Sequence, residues 1–185
     1  MSKAVMLSIR PKWVEKIARG EKTIEVRKTR PKMDTPFKCY IYCTLPKYPH
    51  EDFIATNYPM PQFYGGGKVV GEFTCDQIID AWWDYVPDAI TREVTGGNLE
   101  ALDGTGMTDE ELFSYVGDSM RGHCYGWHIS NLLIYDQPRE LSEFQRATDP
   151  CDSCHAEYTW ECTDCKKLGG DIKRPPQSWC YVEEG

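Results

Sequence analysis

The chain has 185 residues, 41% of them hydrophobic and 12% aromatic, and a net charge of −8. That length supports one substantial core, and the acidic balance argues against a generally basic nucleic-acid binder. No apolar run approaches the ~20 residues of a membrane-spanning helix, and the opening MSKAVMLSIRPKWVEK lacks a secretory leader's apolar region and cleavage site, so the expected compartment is the cytoplasm, with no membrane partner.

In chain order, AVMLSI (4–9) reads as a buried strand. Pro11 suits the first turn of a helix. Trp13, Val14, Ile17 and Ala18 share one face of that helix, and Lys12, Glu15, Lys16 and Arg19 share the other. Gly20 is placed to end it in the left-handed conformation. In GEKTIEVRK (20–28), Ile24 and Val26 alternate with Thr23, Glu25 and Arg27 as in a half-buried second strand, with Lys22 at its mouth. FKCYIYCT (37–44) is a third strand. Residues 45–66, rich in Pro and aromatics and without a clean period, are expected as a long loop.

KVVGEFTCDQII (68–79) reads as a fourth strand, in which Gly71 signals a bulge or a close backbone approach. TGGNLEALDGTG is a turn-rich insertion. Thr108 and Glu111 form a capping box for a short helix over 108–116. CYGWHISNLLIYD (124–136) supplies one or two further strands, and SWCYVEE (178–184) a last one. Many short strands with two clear helices predict a mainly β, mixed α/β fold, most simply a small barrel plugged by a helix.

Nine cysteines are an odd count, which disfavours a fully paired disulfide framework. Cys39 and Cys43 on one strand face stand about 13 Å apart, too far for a bridge. Together with Cys75, Cys124 and Cys180 they are expected as small buried hydrophobes. The other four, Cys151-x2-Cys154 and Cys162-x2-Cys165, have the spacing of a structural zinc knuckle. Its only large apolar residues, Tyr158 and Trp160, make no core, so metal ligation would supply the folding energy. Four thiolates close the coordination sphere and leave a net −2, a poor grip for phosphate. His155, adjacent to Cys154, is a strained substitute ligand.

Charge is uneven. Residues 1–40 carry 11 Lys+Arg against 4 Asp+Glu (+7), and residues 41–185 carry 10 against 25 (−15), which sum to −8. One end of the chain can thus attract an anion while the rest repels indiscriminate polyanions.

Gly20-x-Lys22-x-x-Glu25-x-Arg27, between a first helix and a second strand, resembles the G-x-K-x-x-E-x-R motif of ASCH domains in the PUA-like superfamily. The segments LSIRPKWVEKIARG, GKVVGEFTC, YGWHISNLLIYD, LSEF and PPQSWCYVEE are similar to short ASCH proteins of Gram-positive bacteria and their phages. The resemblance implies one PUA-like domain over 1–185, with the knuckle at 151–165 as an insertion. It also implies a β-barrel whose cleft, beside the first helix, is lined by the motif's charged residues and holds RNA or a modified base.

A nucleobase requires donors, an acceptor and a stacking plane. Lys22 offers a cationic donor, Glu25 an acceptor, and Arg27 either a bidentate donor for phosphate or a group that holds Glu25 in place. Ser8, Arg10 and Trp127 are candidates for the rim, and Thr23, on the same strand face as Glu25 and Arg27, is a further ligand-binding candidate. The expected ligand is RNA, single-stranded DNA or a modified nucleotide. Lys12, Lys16, Arg19, Lys28, Arg30 and Lys32 would meet phosphates, and Tyr58, Phe63 and Tyr64 would stack.

Two alternatives stand beside this. One ASCH branch resembles an amidohydrolase of acylated cytidine, with Lys, a Thr three residues later and a distant Glu. Lys22 matches, but Glu25 occupies the Thr position, and Glu72 is the candidate distant acid. A buried Lys22 with a lowered pKa and Glu25 as base on water would be the catalytic groups. The other alternative is a phage or bacterial interaction protein, docking a basic partner or blocking a host nucleic-acid system. His123 and His128 are expected as satisfied strand residues.

Overall fold

A computed structural model describes residues 3–56, 62–85, 94–117, 121–147 and 170–184. Eleven strands are formed there: β1 (Lys3–Ile9), β2 (Ile24–Arg27), β3 (Phe37–Cys43), β4 (Ile54–Thr56), β5 (Gln62–Tyr64), β6 (Lys68–Tyr85), β7 (Val94–Gly97), β8 (Arg121–Arg139), β9 (Gln145–Arg146), β10 (Gly170–Asp171) and β11 (Trp179–Glu183). Two α-helices, α1 (Pro11–Ala18) and α2 (Asp109–Val116), accompany them.

The chain forms two compact units, Met1–Glu15 with Phe37–Phe73 and Asn131–Gly185, and Lys16–Pro36 with Thr74–Ser130. The long strands β6 and β8 each contribute one half to either unit.

The first unit is organised by β1, which pairs in parallel with β3 (Val5↔Cys39) and antiparallel with β11 (Val5↔Tyr181). A strand flanked on both sides and buried on both faces reads as an uninterrupted apolar run, which is why Ala4, Val5, Met6 and Leu7 are all fully buried. Ala4, Met6, Tyr40, Tyr42, Val69, Phe144, Ile172 and Val182 make its core, with Tyr40 and Phe144 edge to face at 4.9 Å. Gly71 lies here: a Cβ would come within 2.5 Å of the Leu133 carbonyl oxygen, so glycine lets β6 and β8 approach.

The second unit packs Ile24, Val26, Ala81, Trp83, Leu102, Leu112 and Cys124. Its helix α2 is capped as the sequence predicts: the Glu111 N–H donates to Thr108 Oγ1 and the Thr108 N–H to Glu111 Oε2, both at 3.2 Å. Gly20 has φ +74° and donates its N–H to the Ile17 carbonyl, ending α1 as expected.

Three expectations are corrected. The barrel is not closed: the strand order β10-β9-β11-β1-β3-β6-β8-β2, with β7 on β6, is an open path among the described residues. Closure requires every strand to be paired on both sides, and the end strands β10 and β2 have only two and four residues. The expected loop 45–66 contains a 3-10 turn at Pro49–Glu51 and a hairpin pairing Ile54 with Tyr64; strands of three residues are too short to display alternation. The fourth strand continues to Tyr85, because β7 pairs with Trp83, Asp84 and Tyr85 and the Asn98 side chain serves the residues before them: Oδ1 accepts the Trp82 N–H and Nδ2 donates to the Asp80 carbonyl, both at 2.9 Å. Part of the turn-rich insertion is accordingly strand β7.

Candidate functional site

Beside the Gly20 turn, the N–H groups of Glu21 and Lys22 donate to the Lys16 carbonyl at 2.9 and 3.1 Å. They turn the Lys22 side chain inward, where it is 2% exposed. Facing it is the segment 104–106. The Gly104 carbonyl accepts the N–H groups of Thr23 (2.8 Å) and Ile24 (3.1 Å), the Thr105 carbonyl accepts Lys22 Nζ (2.8 Å), and the Gly106 carbonyl accepts Lys16 Nζ (2.5 Å). Gly104 has φ +100°, and a Cβ there would collide with Thr23 Oγ1. Three consecutive carbonyls thus receive two ammonium groups and the start of β2.

Lys22 Nζ also donates to the Ile24 carbonyl at 2.8 Å and meets Glu25 Oε2 at 3.3 Å. The other oxygen of Glu25, Oε1, receives Arg27 Nη2 at 2.9 Å. Glu25 and Arg27 are themselves buried, and the Arg27 charge opposes the effect of burial on the Tyr115 hydroxyl of α2. The result is a Lys22–Glu25–Arg27 triad with two cations and one carboxylate.

Burial pushes the Lys22 pKa down; Glu25 opposes this, and Arg27 and Lys16 add to it. Burial likewise raises the pKa of Tyr115. An ammonium loses several kcal/mol of hydration inside a protein, and here two carbonyls and a carboxylate replace that hydration.

β2 pairs antiparallel with β8, setting Glu25 opposite Trp127 and Arg27 opposite Tyr125. Cross-strand partners share a face, so exposure rises along β8 on the triad's side, from buried Trp127 through half-buried Tyr125 to exposed His123. Beyond β2, Lys28 Nζ stands 5.6 Å from the centre of the Tyr115 ring, and the Arg30 guanidinium 5.7 Å from that of Tyr125.

Lys22, Thr23, Glu25, Arg27 and Trp127 therefore belong to one unit, with Thr23 exposed. Two placements differ from expectation: the three charges are buried rather than lining an open cleft, and Trp127 is interior, not rim. Ser8, Arg10 and Glu72 belong to the other unit. There Ser8 Oγ donates to the Pro176 carbonyl at 2.6 Å, Arg10 is exposed, and Glu72 accepts the Tyr135 hydroxyl at 2.5 Å and pairs with Lys38 at 3.3 Å.

Among the expected phosphate contacts, Lys12 lies over Trp13 and Lys16 is bonded to Gly106. Tyr64 is exposed, whereas Tyr58 and the Phe63 side chain fall outside the described residues. His128 and His123 are satisfied by Asp76 and Asp80, each at 2.6 Å. Cys39, Cys43, Cys75 and Cys124 are buried free thiols and Cys180 is half-buried. Among the described residues no three His, Cys, Asp or Glu side chains gather as a metal site; Cys151, Cys154, Cys162 and Cys165 lie outside them. No helix of the described chain is long and apolar enough to cross a membrane.

Sequence reasoning missed Thr105, which acts through its backbone, and Tyr115 and Tyr125. The flanking glycines of Gly104-Thr105-Gly106 were the available signal.

No protein-family profile and no curated protein sequence matches the chain. Solved structures do resemble it, among them two of an ASCH protein. One is a tyrosine-to-phenylalanine mutant of the ASCH protein of Zymomonas mobilis, with 13% identity and a TM-score of 0.54 over 99% of this chain and 92% of that one. The other is the ASCH protein of Zymomonas mobilis, with 14% identity and a TM-score of 0.52 over 98% and 88%. The chain shares their fold.

Proposed function

We propose that the chain binds nucleic acid (RNA or single-stranded DNA) or a modified nucleotide over the Lys22–Glu25–Arg27 floor. The observation that carries this reading is a buried triad with a surplus cation, bordered by aromatic rings. A buried positive surplus is stabilised by an adjacent anion, and aromatic rings hold bases.

The test is a thermal-shift and binding series with nucleosides, nucleotides and short oligonucleotides, on the wild type and Arg27→Lys. That variant keeps the charge but loses the guanidinium fork. We expect one ligand class to stabilise the wild type and to bind Arg27→Lys about tenfold more weakly, the scale of one hydrogen bond to a charged group. Modified nucleosides and nucleotides complete the series, and no response from any of these ligands overturns the reading.

A second reading, a hydrolase acting on a modified nucleoside such as acylated cytidine, draws on the lowered Lys22 pKa. Against it, the Lys22 ammonium already donates to three acceptors and both Glu25 oxygens are engaged. Product formed from acylated cytidine would favour it. The third reading, a phage or bacterial protein acting on a host nucleic-acid system, draws on charge asymmetry alone.

We also propose that Cys151, Cys154, Cys162 and Cys165 hold a structural zinc, on their spacing. One zinc per chain by elemental analysis, with a lower melting temperature after chelation, is the expected result; zinc-free, fully stable protein would contradict it.

A further inference from the structure

We infer that the ligand's direct contacts are made by Lys28, Arg30, Tyr115 and Tyr125, and that they suit a single strand of two or more nucleotides rather than one mononucleotide. The inference rests on the function proposed above and assigns its contacts. Lys22 Nζ is held by the carbonyls of Ile24 and Thr105 and by Glu25. An ammonium has three protons, so a ligand can bond Lys22 only by displacing one of these partners. Both Glu25 oxygens are likewise occupied. The triad is therefore a positioning device, and its own central groups are not the ones that read a ligand.

What it positions lies next to it. Arg27 ends β2, and of the exposed residues after it Lys28 and Arg30 each carry a cation to an aromatic ring. Lys28 stands over Tyr115 and Arg30 over Tyr125. Lys28 and Arg30 are exposed, Tyr115 is 37% exposed, and Tyr125 is half-buried with His123 edge-on at 4.8 Å. Two ring-and-cation pairs from residues 28 and 30 are separated by at most about 7 Å of chain. A lone nucleotide has one base and fills one such pair. A strand supplies a base for each ring and a phosphate for each cation, the pattern by which single strands are held without sequence readout.

The charge balance is compatible. Residues 20–30 hold four cations (Lys22, Arg27, Lys28, Arg30) and two carboxylates (Glu21, Glu25). Asp80 is engaged by His123. Asp109, Glu110 and Glu111 occupy the first turn of α2, whereas Tyr115 is in its last, about 9 Å along the axis from the first of them at helical rise.

The experiment uses the full chain and four probes: fluorescein-labelled oligouridylate and oligothymidylate of about eight nucleotides, and unlabelled UMP and TMP. Anisotropy follows the oligonucleotides and calorimetry the mononucleotides. We expect wild type to bind at least one oligonucleotide more tightly than its mononucleotide. Arg30→Ala should reduce the salt slope of oligonucleotide binding by about 0.7, and Tyr125→Leu should weaken it about fivefold or more. Circular dichroism checks that Tyr125→Leu is folded, and exposed Arg30 provides an independent readout if it is not.

If oligonucleotide binds and Arg27→Lys weakens it while Arg30→Ala and Tyr125→Leu do not, the contacts assigned here are wrong and the floor still binds. Equal affinity for oligonucleotide and mononucleotide overturns the strand. Silence with all four probes overturns the inference, and the proposed function falls only if modified nucleosides and nucleotides are silent too.

Discussion

The unit built on β1 buries apolar side chains, from Ala4 to Val182, and leaves its ion pairs at partly exposed positions such as Lys68–Glu140. The unit built on β2 buries Lys22, Glu25 and Arg27 beside an apolar cluster. Exposed pairs are worth about 0–1 kcal/mol. A buried group of charges often gives no more stability than apolar residues of similar volume, yet losing one partner is costly. Stability alone therefore explains the first unit and does not explain the second. Under the function proposed above, the triad holds positive charge in place for a ligand.

The largest effect should come from breaking the triad. Glu25→Ala leaves Lys22 and Arg27 as neighbouring buried cations, and a loss of about 3–5 kcal/mol is expected in urea unfolding. In the other unit Met6→Ala should cost about 2–5 kcal/mol through its cavity, and leave the ligand affinity of the folded protein unchanged. Lys68→Ala should change stability by less than about 1 kcal/mol. If Glu25→Ala proved as mild as Lys68→Ala, the contrast between the units would vanish.

Alkaline pH separates two opposing contributions. Burial raises the Cys43 and Cys75 thiols to about 12 and Cys124 to about 11, from 9.0. Above pH 9.0 the unfolded chain loses these protons first, so their stabilisation, complete below 9.0, is lost as pH rises toward 11 and 12. Lys22 works the other way. Its pKa is below 10.5 when folded, so the unfolded state holds more protons in that window and stability rises with pH there. Urea midpoints measured upward from pH 9 should fall less steeply in Cys75→Ala and more steeply in Lys22→Met than in the wild type.

Much of the fold was legible because its signals are local. The apolar run of β1, Pro11 and Gly20 around α1, the Thr108–Glu111 capping box and the tight Gly71 position each act within one element or with one neighbour. The hairpin β4–β5 and the extension of β6 were not legible, since three-residue strands carry no period and β6 is extended by β7 and the Asn98 side chain, from a later stretch of sequence. The candidate site was half legible. Spacing brought Lys22, Glu25 and Arg27 together, but alternation suggested an open face. The carbonyls of 104–106 and the β8 residue Tyr125 facing Arg27 come from remote sequence, and a backbone carbonyl has no side-chain signature.

The central claim is most directly tested by titrating nitrogen-15-labelled protein with the oligonucleotide that binds best and following backbone amide shifts. The account predicts that the largest changes fall at residues 22–30, at Thr105 and around Tyr115 and Tyr125. Changes concentrated instead in β1, β3 and β11, with residues 22–30 unmoved, would contradict it.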